Sequence, residues 1–425
     1  MVYILIERNL LVVKVYSRNT QNSTQKLSMP ICQDINFPPG WPFAPQNVSE
    51  TNVEDIQASL KSHKTKLINF WKNNLTRSYL FDHFTSNKYK NKPSKSGIWS
   101  PKNCQSQSKI AIIIPFRSIS NDTEIGRETE LTFYLYEMIE FLNLQKIEFK
   151  IYVIDQDWED DFNRARLLNV GFLVAKKDSS SIGHPWDCYL FTDVDKFPIN
   201  LNLSMHCNKN NQPIHYLPHL GSFGGVAQFP PETVLAVNGF SNEFFGWGGE
   251  DQDMGFRVSE GNKIFKELLV LKLKKLGVIT SNRPSELAVN DVYNEYLKMS
   301  PFQRQHPHTV IDPKSSFILE TGHRGKGIDQ GNEKSPERKQ ILANFKNRLL
   351  TDGLHNLNYK LLKIELKENF NIFSRYKVSF SRKVDRMVSA SSGYDKKIDW
   401  VNNVLSHKCL DSLISVRECY ENIKR

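Results

Sequence analysis

"KIAIIIPF", residues 109–116, carries one charge at its start and then no alternation of apolar and polar positions. A strand with one face in water alternates. A run this uniformly apolar belongs to a strand buried on both faces, as in a parallel sheet covered by helices. The same rhythm continues downstream. "ETELTFYLYEMIEFLNL" (128–144) places apolar residues at three- and four-residue spacing and reads as a helix. "FKIYVID" (149–155) is a second strand, "FNRARLLNVGFLVAKK" (162–177) a second helix and "DCYLFTDVD" (187–195) a third strand. Strand–helix–strand order predicts an α/β fold with a mostly parallel sheet and right-handed crossovers.

Ligands in such sheets bind beyond the carboxyl ends of the strands. Chemistry-bearing residues cluster there: Pro115, Phe116 and Arg117 after the first strand, Phe162 and Arg164 after the second, Asp193, Val194 and Asp195 closing the third. Two acids spaced by one residue reach a divalent cation, and hard oxygen ligands suit Mn²⁺ or Mg²⁺. With a diphosphate, the metal offsets charge that would otherwise repel these acids. Alone, the pair is equally a set of loop acids capping the next turn. Arg117 and Arg164 favour the phosphate reading, since guanidinium pairs well with phosphate oxygens. In isolation each is also an ordinary surface arginine.

"FFGWGGEDQD" (244–253) crowds aromatics and glycines against three acids. Glycines at 246, 248 and 249 let the backbone approach a ligand closely. Trp247 offers a flat apolar face to a sugar ring. Glu250 and Asp251 start a helix, where the dipole favours acids. A helix start accounts for Asp253 in full, but not for the aromatics and glycines around the same acids.

The chain has 425 residues, 39% of them hydrophobic, enough for a substantial core and two or three domains by length. A formal charge of +10 suits an anionic partner or simply a basic surface. Nucleic acid is not expected, because no reading helix or RNA-binding motif is present. No run approaches the roughly 20 apolar residues that span a bilayer. The opening segment, broken by Glu7, Arg8 and Lys14, is a poor signal peptide or anchor. Six cysteines without a CxxC pair, together with five glycosylation sequons, favour a secretory compartment. Residues 1–100 read as a stem or linker, 101–365 as the catalytic domain with an insertion at 262–316, and 366–425 as a basic tail.

"IAIIIPFR", "FNRARLLNVGF", "FTDVD", "FGGV" (223–226), "NGFSNEFFGWGGEDQD" and "LLTDGLHNLNY" (349–359), in this order, resemble the β-1,4-galactosyltransferase family. The resemblance covers roughly residues 100–262 and 317–360. It implies a GT-A type fold, Rossmann-like at its core, a UDP-sugar donor, Mn²⁺ and inversion at the anomeric carbon. UDP-galactose or UDP-N-acetylgalactosamine would be the donor. The acceptor would be a terminal sugar of a glycoprotein or glycolipid glycan, GlcNAc in β-1,4 linkage.

By match to the motifs, Pro115, Phe116, Arg117, Phe162, Arg164, Asp193, Val194, Ser222, Gly225 and Trp247 would bind the donor. Gly249, Glu250, Asp251 and Arg338 would line the acceptor site, with Asp251 as general base beside Glu250. Asp195 and His323 would ligate the metal. The resemblance also implies disulfides Cys188–Cys207 and Cys32–Cys104; closing a loop the size of the first contributes about 3 kcal/mol. Family membership further implies a Golgi lumen location and a membrane anchor, although no anchor is seen in this sequence.

Four departures stand out. Glu320, in "ETGHRG", stands where the family places methionine, and a carboxylate there also binds Mn²⁺. Ile119 occupies the place of a second arginine after "PFR". Lys339 replaces an aromatic that often closes the N-acetyl pocket. Ser222 stands where galactose-specific members carry a tyrosine. The alternative to an active enzyme is a catalytically impaired homologue that only binds UDP-sugar or glycan.

Overall fold

The computed structural model describes residues 2–7, 10–15, 29–32, 73, 80, 82–84, 86, 92–118, 127–157, 161–183, 185–198, 203–209, 212–216, 222–246, 248–259, 309–310, 318–320, 336–349, 351–365 and 372–380. Strands β1 (Val2–Glu7) and β2 (Leu10–Val15) form a separate antiparallel hairpin. The central elements are β3 (Lys109–Phe116), α1 (Arg127–Leu144), β4 (Glu148–Gln156), α2 (Arg164–Ile182) and β5 (Cys188–Thr192). They follow the predicted order. After them come β6 (Lys196–Pro198), β7 (Ile214–His215), β8 (Val226–Phe229), α3 (Pro231–Ala236) and α4, residues 250–259. Then come β9 (Thr309–Val310), β10 (Ile318–Glu320), α5 (Pro336–Ala343), α6 (Phe345–Arg348), β11 (Lys360–Glu365) and β12 (Ser374–Ser379).

The main sheet has eight strands in the order β11-β12-β4-β3-β5-β8-β7-β9. Its central pairings, β12 with β4, β4 with β3 and β3 with β5, are parallel. The chain leaves β3 towards β4 through α1 and returns past β3 to β5 through α2. This reversal opens a crevice at the carboxyl ends of β3 and β5, the place where sheets of this kind take their ligands.

The uninterrupted apolar run of β3 is explained by its two faces. Ile110, Ile112 and Ile114 join a core with Phe133, Tyr134, Leu135 and Met138 of α1. Ala111 and Ile113 join the opposite core with Leu167, Leu168 and Phe172 of α2. Each fully buried isoleucine contributes roughly 1.5–3 kcal/mol, so both helices are held by the same strand.

Packing crosses both domain edges expected from the sequence. Leu80, Phe84 and Trp99, from the N-terminal region, are almost fully buried in the α1-side core. Trp99 stacks on Phe149 and donates from Nε1 to the Ile372 carbonyl at 3.0 Å. At the other end, β12 lies inside the sheet beside β4, so the basic tail as bounded from 366 includes one of the sheet's parallel strands. Thr309–Val310 pairs with β7 and forms the far edge of the sheet from within the stretch read as an insertion. Residues 261–308, including "KIFKELLVLKLKKLG", lie outside the described residues.

Both implied disulfides are present, Cys32–Cys104 and Cys188–Cys207. The second ties the start of β5 to the loop before β7. Cys409 and Cys419 lie outside the described residues. Among the described residues no helix is long and apolar enough to cross a membrane.

Candidate active site

Asp193 and Asp195 sit in the turn that ends β5, because β5 stops at Thr192 and the Asp193 amide donates to the Gly225 carbonyl at 2.9 Å. Arg164, the first residue of α2, reaches across the crevice. Its Nε donates to Asp193 Oδ1 at 2.6 Å and its Nη1 to Asp251 Oδ1 at 2.8 Å. Burial opposes the charge on this guanidinium, yet Asp193, Asp251 and Glu250 together raise its pKa above the ordinary value. For Asp193, burial alone would raise the pKa. Arg164, Lys196 and Arg127 outweigh that and hold its carboxyl below the usual range.

Glu250 and Asp251 open α4, in the first turn where the helix dipole favours them. Backbone contacts fix this turn. The Phe223 amide donates to the Asp251 carbonyl at 3.1 Å, and the Gly246 amide donates to the Phe162 carbonyl at 2.8 Å. Gly249 has φ +98, and a Cβ there would lie 2.6 Å from the Phe244 ring. Only glycine takes that conformation against that ring. The two acids then differ sharply in environment. The Asp251 side chain is 29% exposed and ion-paired with Arg164. Glu250 is 6% exposed, and its Oε2 makes no hydrogen bond among the described residues. Burial, reinforced by the Asp251 charge and only partly offset by Arg164, pushes the Glu250 carboxyl up to about 8.

The remaining sequence-predicted residues fall in place around this pair to different degrees. Pro115 and Phe116 end β3, and the Arg117 guanidinium lies 5.2 Å from the centre of the Phe162 ring. Val194 is buried and Ser222 is half-buried. Arg338, on α5, donates to the Phe245 carbonyl at 3.0 Å, which joins it to the acid-bearing loop. Trp247 and His323 lie outside the described residues. Glu320 is the last residue of β10, and its backbone register pairs it with Lys196.

Several residues at the site have no part in the motif reading. Arg127 starts α1, lies 3.6 Å from Asp195 Oδ2 and pairs with Glu130 at 2.8 Å. It brings a second guanidinium beside the D-x-D, although Ile119 fills the place where the family carries one. Glu130 is buried beside these charges, and burial pushes it up to about 7 despite Arg127. Lys196 reaches Asp195 at 3.3 Å and Asp193 at 3.6 Å. Its adjacency to "DVD" was the one available sequence signal. Nothing in the sequence links Arg127 or Glu130 to Asp195, because helix α1 is brought over the strand end only by packing.

Contrary to the sequence reading, a helix start does not account for Asp253 in full. The residue is fully buried and pairs with Arg257 and, at 2.6 Å, with Arg348. Asp352 of "LLTDG" pairs with Arg348 at 2.6 Å and with Arg257 at 3.2 Å. Two carboxylates and two guanidiniums thus alternate in a neutral square between α4, which carries Asp253 and Arg257, and the segment carrying Arg348 and Asp352. Ser241 Oγ and the Asn242 amide donate the remaining bonds to Asp352.

Of the three residues expected to hold a divalent cation, Asp195 is the one whose side chain is described. Asp195 is 4% exposed, and Lys196 and Arg127 face its two carboxylate oxygens. Asp195 carries one negative charge and faces two side-chain cations, and its oxygens are hard donors of the kind a divalent cation takes. Antiparallel pairing of β6 and β10 brings the Glu320 backbone opposite the residue after Asp195. Among the described residues no cluster of three or more ligand-type side chains forms on its own.

The model of the N-terminal region of glycosyl transferase group 7 matches residues 64–208, and that of the N-terminal domain of galactosyltransferase matches residues 204–268. The chain belongs to the β-1,4-galactosyltransferase family. Over 279 residues it is 32% identical to Beta-1,4-galactosyltransferase 1 of Bos taurus, covering 63% of this chain and 54% of that protein. Over 173 residues it is 39% identical to Beta-1,4-galactosyltransferase 2 of Homo sapiens, covering 38% of this chain and 43% of that one. The chain therefore spans about half the length of these curated relatives. Among solved structures, the catalytic domain of Drosophila beta1,4galactosyltransferase 7 in complex with xylobiose is 20% identical, with a TM-score of 0.45, and covers 67% of this chain and 100% of that chain. A mutant of that Drosophila enzyme was crystallised with manganese, UDP-Gal and xylobiose; it is 19% identical, with a TM-score of 0.45 over the same shares of both chains.

Proposed function

We propose that this member of the family transfers galactose or N-acetylgalactosamine from a UDP-sugar to a terminal glycan sugar, GlcNAc in β-1,4 linkage, with inversion, in the Golgi lumen. The carrying observation is the Arg164 bridge from Asp193, at the donor-side strand end, to Asp251, at the acceptor-side helix start. Two neighbouring carboxyls in unlike environments point to unlike roles. Glu250, buried and pushed up to about 8, is mostly protonated at pH 7 and donates a hydrogen bond to the acceptor. Asp251, ionised in its pair with Arg164, takes the proton of the attacking hydroxyl. The new bond joins that oxygen to the anomeric carbon, and the bond to the UDP phosphate oxygen breaks on the opposite face. One acceptor-side base suffices for such a single displacement.

Asp195, with His323 and Glu320, would hold Mn²⁺. When bound, the ion supplies charge neutralisation for the diphosphate and the departing UDP. Arg117 and Phe162 lie together at the donor side, and Arg338 approaches the acceptor side through the Phe245 carbonyl.

The test is a donor-by-acceptor screen with and without Mn²⁺. Turnover lost to EDTA and restored by Mn²⁺, and reduced roughly 10²–10⁴-fold by Asp251→Asn with nucleotide binding kept, supports the reading. Nucleotide binding without turnover on any donor and acceptor pair favours the impaired homologue.

A further inference from the structure

We propose that His215 and Gly224 are positioning residues for Asp251, the histidine acting through the Gly224 carbonyl. The proposal rests on the reading of Asp251 as the base. His215 belongs to no motif singled out in the sequence. It is fully buried on β7, in register with Ala227 of β8 on one side and Val310 of β9 on the other. Its Nε2 lies 3.1 Å from the Gly224 oxygen. A carbonyl only accepts, so Nε2 carries the proton and donates it. The same oxygen accepts from the Val226 amide at 2.8 Å, closing a three-residue turn around Gly225, whose φ is +70.

The other side of this turn lies against the base. A Cβ on Gly224 would stand 2.5 Å from Asp251 Oδ2, and the neighbouring Phe223 amide donates to the Asp251 carbonyl at 3.1 Å. The Gly225 carbonyl accepts from the Asp193 amide at 2.9 Å. Histidine, turn and carboxylate thus form a stack in which the turn's position sets where Oδ2 can sit. Oδ1 is already fixed by Arg164. A small displacement of a reacting group by a neighbour costs up to about 10²-fold in rate. Gly224 is required here for clearance, and His215 for holding the turn at that clearance.

The experiment is a double-mutant cycle on the full chain with UDP-sugar, acceptor and Mn²⁺, alongside calorimetric UDP binding. His215→Leu is expected to lower kcat about 10- to 100-fold while the donor KM changes by less than about threefold. His215→Gln, which keeps an N–H near the place of Nε2, recovers most of that loss. Gly224→Ala gives a kcat loss of the same order with UDP binding retained, and it carries the test alone if His215→Leu does not fold. In an Asp251→Asn background, either change costs less than about twofold, because its route to the chemistry is gone. Losses that multiply in that background overturn the proposal, as does unchanged kcat in Gly224→Ala. Near-normal turnover by Asp251→Asn alone overturns the base assignment instead, and that result is read before the cycle is interpreted.

Discussion

The Arg164 guanidinium donates to Asp251 at 2.8 Å while its Nε stays on Asp193 at 2.6 Å. One side chain therefore locks the end of β5 to the first turn of α4. An ammonium is a point charge and cannot serve both carboxylates in this forked geometry. Arg164→Lys is expected to reduce turnover by at least about 10-fold. Arg164→Met leaves two carboxylates facing one another. It costs about 3 kcal/mol, the lower end for a buried pair because both acids keep some exposure. Urea unfolding of the variant at the wild-type midpoint would remove the stabilising role from this bridge.

Stability should fall with rising pH through Glu250. The folded chain keeps a proton on this carboxyl up to about 8, while the unfolded chain releases it near the ordinary glutamate value of 4.5. The native state thus binds more protons in that window. The contribution is full below the unfolded value and is lost as pH rises through the folded one. Its slope is at most about 1.4 kcal/mol per pH unit. Glu130, pushed up to about 7, acts in the same sense. Glu250→Gln should flatten the dependence of Tm on pH between pH 5 and 8 and raise Tm at the alkaline end. Melting curves across that range in EDTA decide it. A wild-type slope in the variant would place the proton uptake elsewhere.

Ser222 is expected to relax donor choice. A tyrosine at this place crowds the C2 substituent of the donor, and serine leaves room for an N-acetyl group. UDP-GalNAc should be used at least comparably to UDP-Gal, and Ser222→Tyr should shift preference towards galactose by about 10- to 30-fold. Steady-state kinetics with both donors check this. Strict galactose use by the natural chain would mean that another side chain closes the pocket.

The square of Asp253, Arg257, Arg348 and Asp352 predicts a stability effect separable from chemistry. Removing one member leaves a charge buried and unpaired. Arg348→Met or Asp352→Ala is therefore expected to cost about 3–5 kcal/mol. The donor KM of the folded fraction should stay unchanged, since these groups are buried on the side of α4 turned towards Arg348 and Asp352. A drop in urea midpoint together with unchanged KM is the expected result. A normal midpoint would show that the square is dispensable.

Local sequence sufficed where chemistry and structure share a stretch of chain. The uniform apolarity of β3, the period of α1 and α2 and the acids at the end of β5 could be read because burial on a sheet's two faces dictates them residue by residue. Motif order likewise made the family legible, and the cysteine pairs with it. The strand Ser374–Ser379 was not legible: "SRYKVS" is polar enough to read as tail, and it becomes a parallel sheet strand only because β4 presents an open edge to it.

What the tertiary structure alone decided is which charges meet. Arg164 and Asp251 are 87 positions apart, and Arg348 and Asp253 are 95. No local rule pairs them, because ion pairing depends on distance through space and on the burial that strengthens it. The same holds for the two acids at the start of α4. Side by side in sequence, Glu250 and Asp251 are chemically equivalent until packing hides one from water and hands the other to Arg164.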